Sequence, residues 1–211
     1  MGSWMAKKKK NAKTPDAEWD HVFKSNYATA CFWDINWLYV ADDLIECATM
    51  LEPRVREVFE RLQAHTKDKS VRLISQGALG VYFMLVSYAI ENSFKAALVR
   101  KNSRRYREDF EATERFPREL CGHDLVGLAR QIGFTFDLNR EDLLRRLTRS
   151  AVWQGRYPAP LDYHELSGSE IFEDGKPYSV SYFSGGDLDR LKALVQDIRA
   201  ELGVKSSRVP S

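Results

Sequence analysis

At 211 residues the chain suits one domain with extensions and can bury a sizeable core. Its 32 Lys and Arg against 30 Asp and Glu leave a net charge of +2, so overall charge singles out no class of partner. Cys31, Cys47 and Cys121 are widely spaced without a CxxC, which excludes a disulfide framework and a cysteine zinc site. They read as free, mostly buried thiols in a reducing compartment. No apolar signal segment opens the chain, so a cytoplasmic location is expected.

Residues 1–18 carry Lys7 to Lys10 and Lys13 in a polar setting with Pro15. They predict a disordered basic tail, either solubilising or touching nucleic acid. A single helical domain is expected over 19–203, with its core at about 26–160, an accessory helix at 187–202 and a flexible tail at 204–211. From Asn26 to Met50, Tyr27, Cys31, Phe32, Ile35, Leu38, Leu44, Ile45 and Ala48 recur at near-helical spacing and predict the first helix. Trp33 and Trp37 are offset from that stripe, so they either pack on a second neighbour or form a self-association surface. Pro53 suits the first turn of a second helix ending near His65.

The stretch Ser70 to Lys101 is the expected centre of the fold. From Gly77 to Ile90 it is apolar on almost every side, which demands burial all round. It is shorter than the roughly 20 residues that cross a bilayer, so it reads as a core helix and no membrane is expected. Phe94, Ala97 and Leu98 then face inward, with Glu91 and Lys95 as an i,i+4 pair outside. The charged stretch Asn102 to Leu120 reads as an exposed connection, irregular or partly helical, that Pro117 interrupts. Gly122-His123-Asp124 opens a short helix closed by Gly133, and Asp137 and Asn139 sit where the cap of the following helix belongs. Gly155 to Gly186 predicts an ordered loop with one short extended segment, after which Asp187 caps a last helix that Gly203 ends. The fold class is therefore all-α: an up-and-down bundle of about six helices around a central buried one.

Three segments, AIENSFKAALV, GHDLVGLARQIG and LLRRLTRSAVWQGRYPAP, give the chain a likeness to a family. In this order it resembles HEPN domains, small helical bundles of prokaryotic toxin–antitoxin and defence systems. The resemblance covers about Asn26 to Pro160. It implies a HEPN-like bundle, a homodimer, and action alongside a nucleotidyltransferase or another protein. Many members are ribonucleases through an Arg-x4-6-His pattern, which this chain matches literally only at Arg118 to His123. The implied catalytic pair is Arg118 and His123: an imidazole can move a proton near neutral pH, and a guanidinium can stabilise charge on a phosphorane. Pro117 and Gly122 make that stretch a turn, and His123-Asp124 also reads as the capped start of a helix, so the structural role competes with the catalytic one. No phosphate loop, serine elbow or paired-carboxylate pattern occurs, and neither a cofactor nor a metal is expected.

The late helix carries a second candidate site. Leu143, Leu144, Leu147 and Ala151 share one face, while Arg145, Arg146, Arg149, Trp153 and Arg156 gather opposite. Guanidiniums beside an indole could hold phosphates and stack a base of RNA or a nucleotide, or simply form a solvated face. Three functions stay open: a non-catalytic module binding a protein, RNA or a nucleotide; a metal-independent endoribonuclease; and a structural dimer. Phe32, Trp33, Trp37 and Tyr39 on the first helix are the expected dimer surface.

Overall fold

The longest apolar run becomes the axis of the molecule. In the computed structural model, which describes residues 17–154, 169–173, 176–180 and 183–203, this run lies in helix α3, Gly77–Thr113. Its 37 residues extend about 55 Å at 1.5 Å per residue. Between Tyr82 and Val99 no residue is exposed, and Phe94 and Val99 are shut off completely. Burial on that scale contributes about 1.5–3 kcal/mol for each large apolar side chain. Among the described residues no helix is long and apolar enough to cross a membrane.

Two helices lie against α3 from its N-terminal side in sequence. Helix α1 spans Ala17–Phe32 and α2 spans Asp34–Lys67, with Trp33 between them in extended geometry. The chain therefore turns helical earlier than the first apolar stripe suggests and breaks once. The elbow is tied by side chains. Asn36 Nδ2 donates to the carbonyls of Thr29 and Ala30, Trp37 Nε1 donates to Cys31 O at 2.8 Å, and Ser103 Oγ donates to Phe32 O at 2.9 Å. The last four carbonyls of a helix lack intrahelical donors, and here all four are met.

Pro53 does not start a helix; it lies inside α2. Ala48, Glu52, Val55 and Val58 are buried on both sides of it, and this packing carries the helix past the missing N–H. The charged connection after the rod is also helical, as the last part of α3. Tyr106 and Phe110, four apart, anchor it with rings tilted against Phe32 at 6.2 and 5.8 Å between ring centroids. The helix ends at Glu114, whose φ of 55° is left-handed.

Helices α4 (Leu125–Ile132) and α5 (Leu138–Arg149) cover the other side of α3. Gly133 ends α4 at φ 82°, and Asp137 caps α5 by accepting the N–H of Arg140 at 2.8 Å. Leu143, Leu144, Leu147 and Ala151 do face the core. Past Arg149 the helix widens into a π turn, Ser150–Gln154. Ser87 and Tyr88 of α3 fasten this end, donating to the carbonyls of Leu147 and Ala151 at 2.7 and 2.9 Å. A hairpin of β1 (Ser169–Glu173) and β2 (Lys176–Val180) follows, where one extended segment is expected.

Helix α6 (Asp187–Glu201) closes the bundle with Leu188, Leu191, Leu194 and Ile198 inside. Among the described residues the result is an all-α bundle of six helices with α3 at its centre. Asp187 is the first residue of α6 and lies buried, so it is not a surface cap. Cys47 and Cys121 are exposed and only Cys31 is partly covered, against the expectation of mostly buried thiols. The expected tails, 1–18 and 204–211, lie outside the described residues except for residues 17 and 18, which belong to α1.

Candidate functional site

The all-round burial of α3 decides where its charges go. Glu91 and Lys95 were expected outside, yet each is only 5% exposed. Lys95 Nζ donates to Glu91 Oε1 at 2.6 Å and lies 5.8 Å from the centre of the Trp37 ring. Trp37 thus packs inward over the pair, and Phe32 is buried as well. Of the four aromatics expected on a dimer surface, only Trp33 and Tyr39 are exposed.

Glu91 has a second partner. Its Oε2 lies 2.9 Å from Nδ1 of His123, which the turn before α4 brings against α3. An ionised carboxylate only accepts, so Nδ1 is the ring nitrogen that donates to it. The His123 side chain is 47% exposed, and the Tyr88 ring stands 6.4 Å from it. A buried ammonium, a buried carboxylate and a half-exposed imidazole thus form one chain of hydrogen bonds. Such a ring is oriented well enough to accept a proton or a ligand's hydrogen bond.

His123 does not cap α4, and Asp124 makes no capping bond with its side chain. The free N–H of Leu125 goes instead to Thr148 Oγ1 on α5, at 3.2 Å. Arg118 begins a 3-10 turn, Arg118–Leu120, and is exposed. Among the described residues its guanidinium has no hydrogen-bond partner, and no hydrogen bond links it to His123.

The predicted basic stripe on α5 divides. Arg146 is 4% exposed and cannot meet a ligand. Its Nε donates to Asp142 Oδ2 at 2.7 Å, and its NH1 and NH2 reach the two oxygens of Asp187 at 2.9 and 3.2 Å. The guanidinium also stands 4.9 Å over the Phe183 ring, which stacks on Phe83 at 3.7 Å. Burial pushes the Asp187 carboxyl up, but Arg146 and the N–H of Ser184 outweigh it and hold the group below the usual range. Arg145 is half exposed and pairs with Glu141, and Arg149 is partly covered and partnered. The Trp153 indole and Arg156 lie outside the described residues. Arg100, Arg104 and Arg105 do not extend the stripe, because they pair with Asp34, Glu108 and Glu119.

A residue absent from the predicted set joins it. Arg130 on α4 also reaches Glu141 Oε1, at 3.2 Å, so two guanidiniums share one carboxylate oxygen. Arg130 and Arg145 are 61% and 52% exposed, and the cluster keeps one net positive charge. Its place next to α5 depends on the α4–α5 packing, which no local pattern encodes. Glu91 and Lys95 did leave a signal, since a charge pair in a run with no polar face points to a buried network.

A groove of about 490 Å³ opens elsewhere, where α6 crosses α2 and α3. Its floor is apolar, and Glu52 on its wall is held ionised by Lys192 and Arg56 against the upward push of burial. No family model matches the chain, and no curated protein or solved structure is significantly similar to it.

Proposed function

We propose that this protein is a HEPN-type helical module that works by binding, through the phosphates of RNA or a nucleotide and through a protein partner. The reading rests on the resemblance of AIENSFKAALV, GHDLVGLARQIG and LLRRLTRSAVWQGRYPAP to that family. The observation that carries it is the convergence of Arg130 and Arg145 on the single carboxylate of Glu141. A phosphate offers such a cluster three acceptor oxygens in place of one shared oxygen, and guanidiniums match it bidentately. The family likeness extends the proposal to a cytoplasmic homodimer acting beside a nucleotidyltransferase or other protein in prokaryotic defence.

The test is binding of single-stranded RNA followed by fluorescence anisotropy at several salt concentrations. Arg130→Ala/Arg145→Ala is expected to flatten the salt dependence by about 1.4 in slope, the value for two phosphate contacts on a single strand. Unchanged binding in that variant, or no binding by the wild type, overturns the phosphate reading.

A second reading, a metal-independent endoribonuclease using Arg118 and His123, is favoured by one contact. Glu91 orients His123 as a carboxylate orients a general base. Against it stands the lack of any hydrogen bond between Arg118 and the imidazole. RNA incubated with purified wild type is expected to stay intact. Cleavage that His123→Ala reduces about a hundredfold, without unfolding, would install the second reading instead.

A further inference from the structure

The groove where α6 crosses α2 and α3 is built from three sides by residues at helical spacing. Ala48 and Glu52 come from α2, Tyr82 and Val86 from α3, and Leu191 and Val195 from α6. Four of these are aliphatic. The other two each bring one polar atom that the fold leaves unused.

Glu52 is 7% exposed, and its Oε1 accepts from both Arg56 Nε at 2.8 Å and Lys192 Nζ at 2.7 Å. Among the described residues its Oε2 has no hydrogen-bond partner, and neither has the hydroxyl of Tyr82, which is 3% exposed. The sealed side-chain atoms without a partner are, among those residues, Tyr106 Oη and Asp142 Oδ1. Glu52 Oε2 and Tyr82 Oη are therefore still reached, from the groove that both side chains line.

The two atoms are complementary. Glu52 is ionised, so it only accepts. Burial first, and Glu52 second, push the Tyr82 phenol up to about 12, so it keeps its proton and can donate. An acceptor and a donor thus stand on neighbouring walls of an aliphatic groove. Its volume of about 490 Å³ lies in the range of small-molecule sites.

Charge decides what kind of molecule fits. Glu52 and Asp189 are balanced by Arg56 and Lys192, and Arg199 holds Asp42. The charges at the rim are paired with one another, and an ion entering the aliphatic part would lose its hydration without gaining a counter-charge. We propose that this groove binds a small neutral molecule with an apolar body and one amide or lactam edge. The N–H of that edge donates to Glu52 Oε2, and its carbonyl accepts from the Tyr82 hydroxyl. The site shares no residue with the Arg130–Arg145 cluster and goes beyond the phosphate reading.

Benzamide is the probe, titrated into the full chain and followed by two-dimensional NMR of the backbone amides. Saturable shifts at Ala48, Val86 and Val195 are expected, with a dissociation constant of about 1 mM for a ligand of this size. Benzoate and benzylammonium have the same shape but carry charge, and they are expected to bind about tenfold more weakly or worse. Tyr82→Phe keeps the ring and removes only the hydroxyl; it is expected to weaken benzamide about fivefold, the worth of one hydrogen bond. Val195→Trp fills the groove from its half-exposed edge and is expected to abolish the shifts, and it serves if Tyr82→Phe fails to fold. No saturable benzamide shift, a charged analogue that binds as tightly, or binding indifferent to either folded variant overturns the proposal. Each of these leaves the Arg130–Arg145 reading standing, because that reading is measured by RNA binding at α4 and α5.

Discussion

Replacing Arg146 with alanine would strand the buried carboxylate of Asp142 and leave that of Asp187 to Ser184 and the exposed Arg190. Asp187 is 3% exposed and loses two hydrogen bonds, while Asp142 loses its only partner because its Oδ1 has none. Removing one member of a buried ion pair costs about 3–5 kcal/mol, most of it the desolvation of the charge left behind. For a chain of this length that is a fall in Tm of roughly 10 °C, at 2–4 °C per kcal/mol. Thermal melting by circular dichroism and urea denaturation would measure it. The companion variant Arg146→Met/Asp187→Asn removes both charges of the Arg146–Asp187 pair and is expected to recover part of the loss, the rest staying with Asp142. The deficit should also shrink as pH is lowered toward 4. There a carboxylate left without its guanidinium takes up a proton, and the wild type loses the benefit of its depressed Asp187 only below the ordinary carboxylate range. Arg146→Ala that melts with the wild type but no longer binds RNA would refute the reasoning and return Arg146 to the ligand set.

Other outcomes follow from the same contacts. Glu91→Gln leaves the Lys95 ammonium without a counter-charge at 5% exposure and should cost roughly 3 kcal/mol, whereas His123→Ala gives up one charged hydrogen bond, about 1.5–3 kcal/mol less the share that water replaces at a half-exposed ring; melting curves in which His123→Ala is the worse of the two would sink the network. Wild-type stability should be level above the ordinary carboxylate range and fall as pH drops through the lowered values of Asp187 and Glu52, since the unfolded chain binds those protons first; urea midpoints flat from pH 6 down to pH 3 would contradict it. Gly133→Ala meets no atom within 4 Å of the new Cβ, so its cost should be the left-handed backbone alone, about 1–2 kcal/mol. A midpoint equal to wild type would mean that α4 ends in another conformation.

The helices themselves were legible where the pattern is local. Asp137 and Gly133 are a cap and a stop that any sequence reading finds, and the structure keeps both. Periodicity also sorted the leucines of α5 correctly. It failed for the arginines, because a polar residue opposite an apolar stripe looks exposed until another element covers it. Asp187 lies forty-one residues from Arg146, and only the return of α6 makes them partners. The same limit hid the Glu91–His123 contact, which spans thirty-two residues. Pro53 misled for the opposite reason: its strong local preference yields to the packing of α2 on α3.

The tied elbow at Trp33 has a consequence for how this part of the chain can vary. Asn36, Trp37 and Ser103 hold the four terminal carbonyls of α1 one by one, so the helix cannot slide or turn without releasing them. Inserting a single residue between Phe32 and Asn36 would move those carbonyls out of reach of Asn36 and Trp37 unless α1 shifts against α3. Such a shift would pull the buried Phe32 and Ala28 from their places against α3. Lengthening or shortening the segment by one residue should therefore be tolerated far less than substitution at any one of its positions, and a natural variant of this chain should keep the spacing even where it changes the residues.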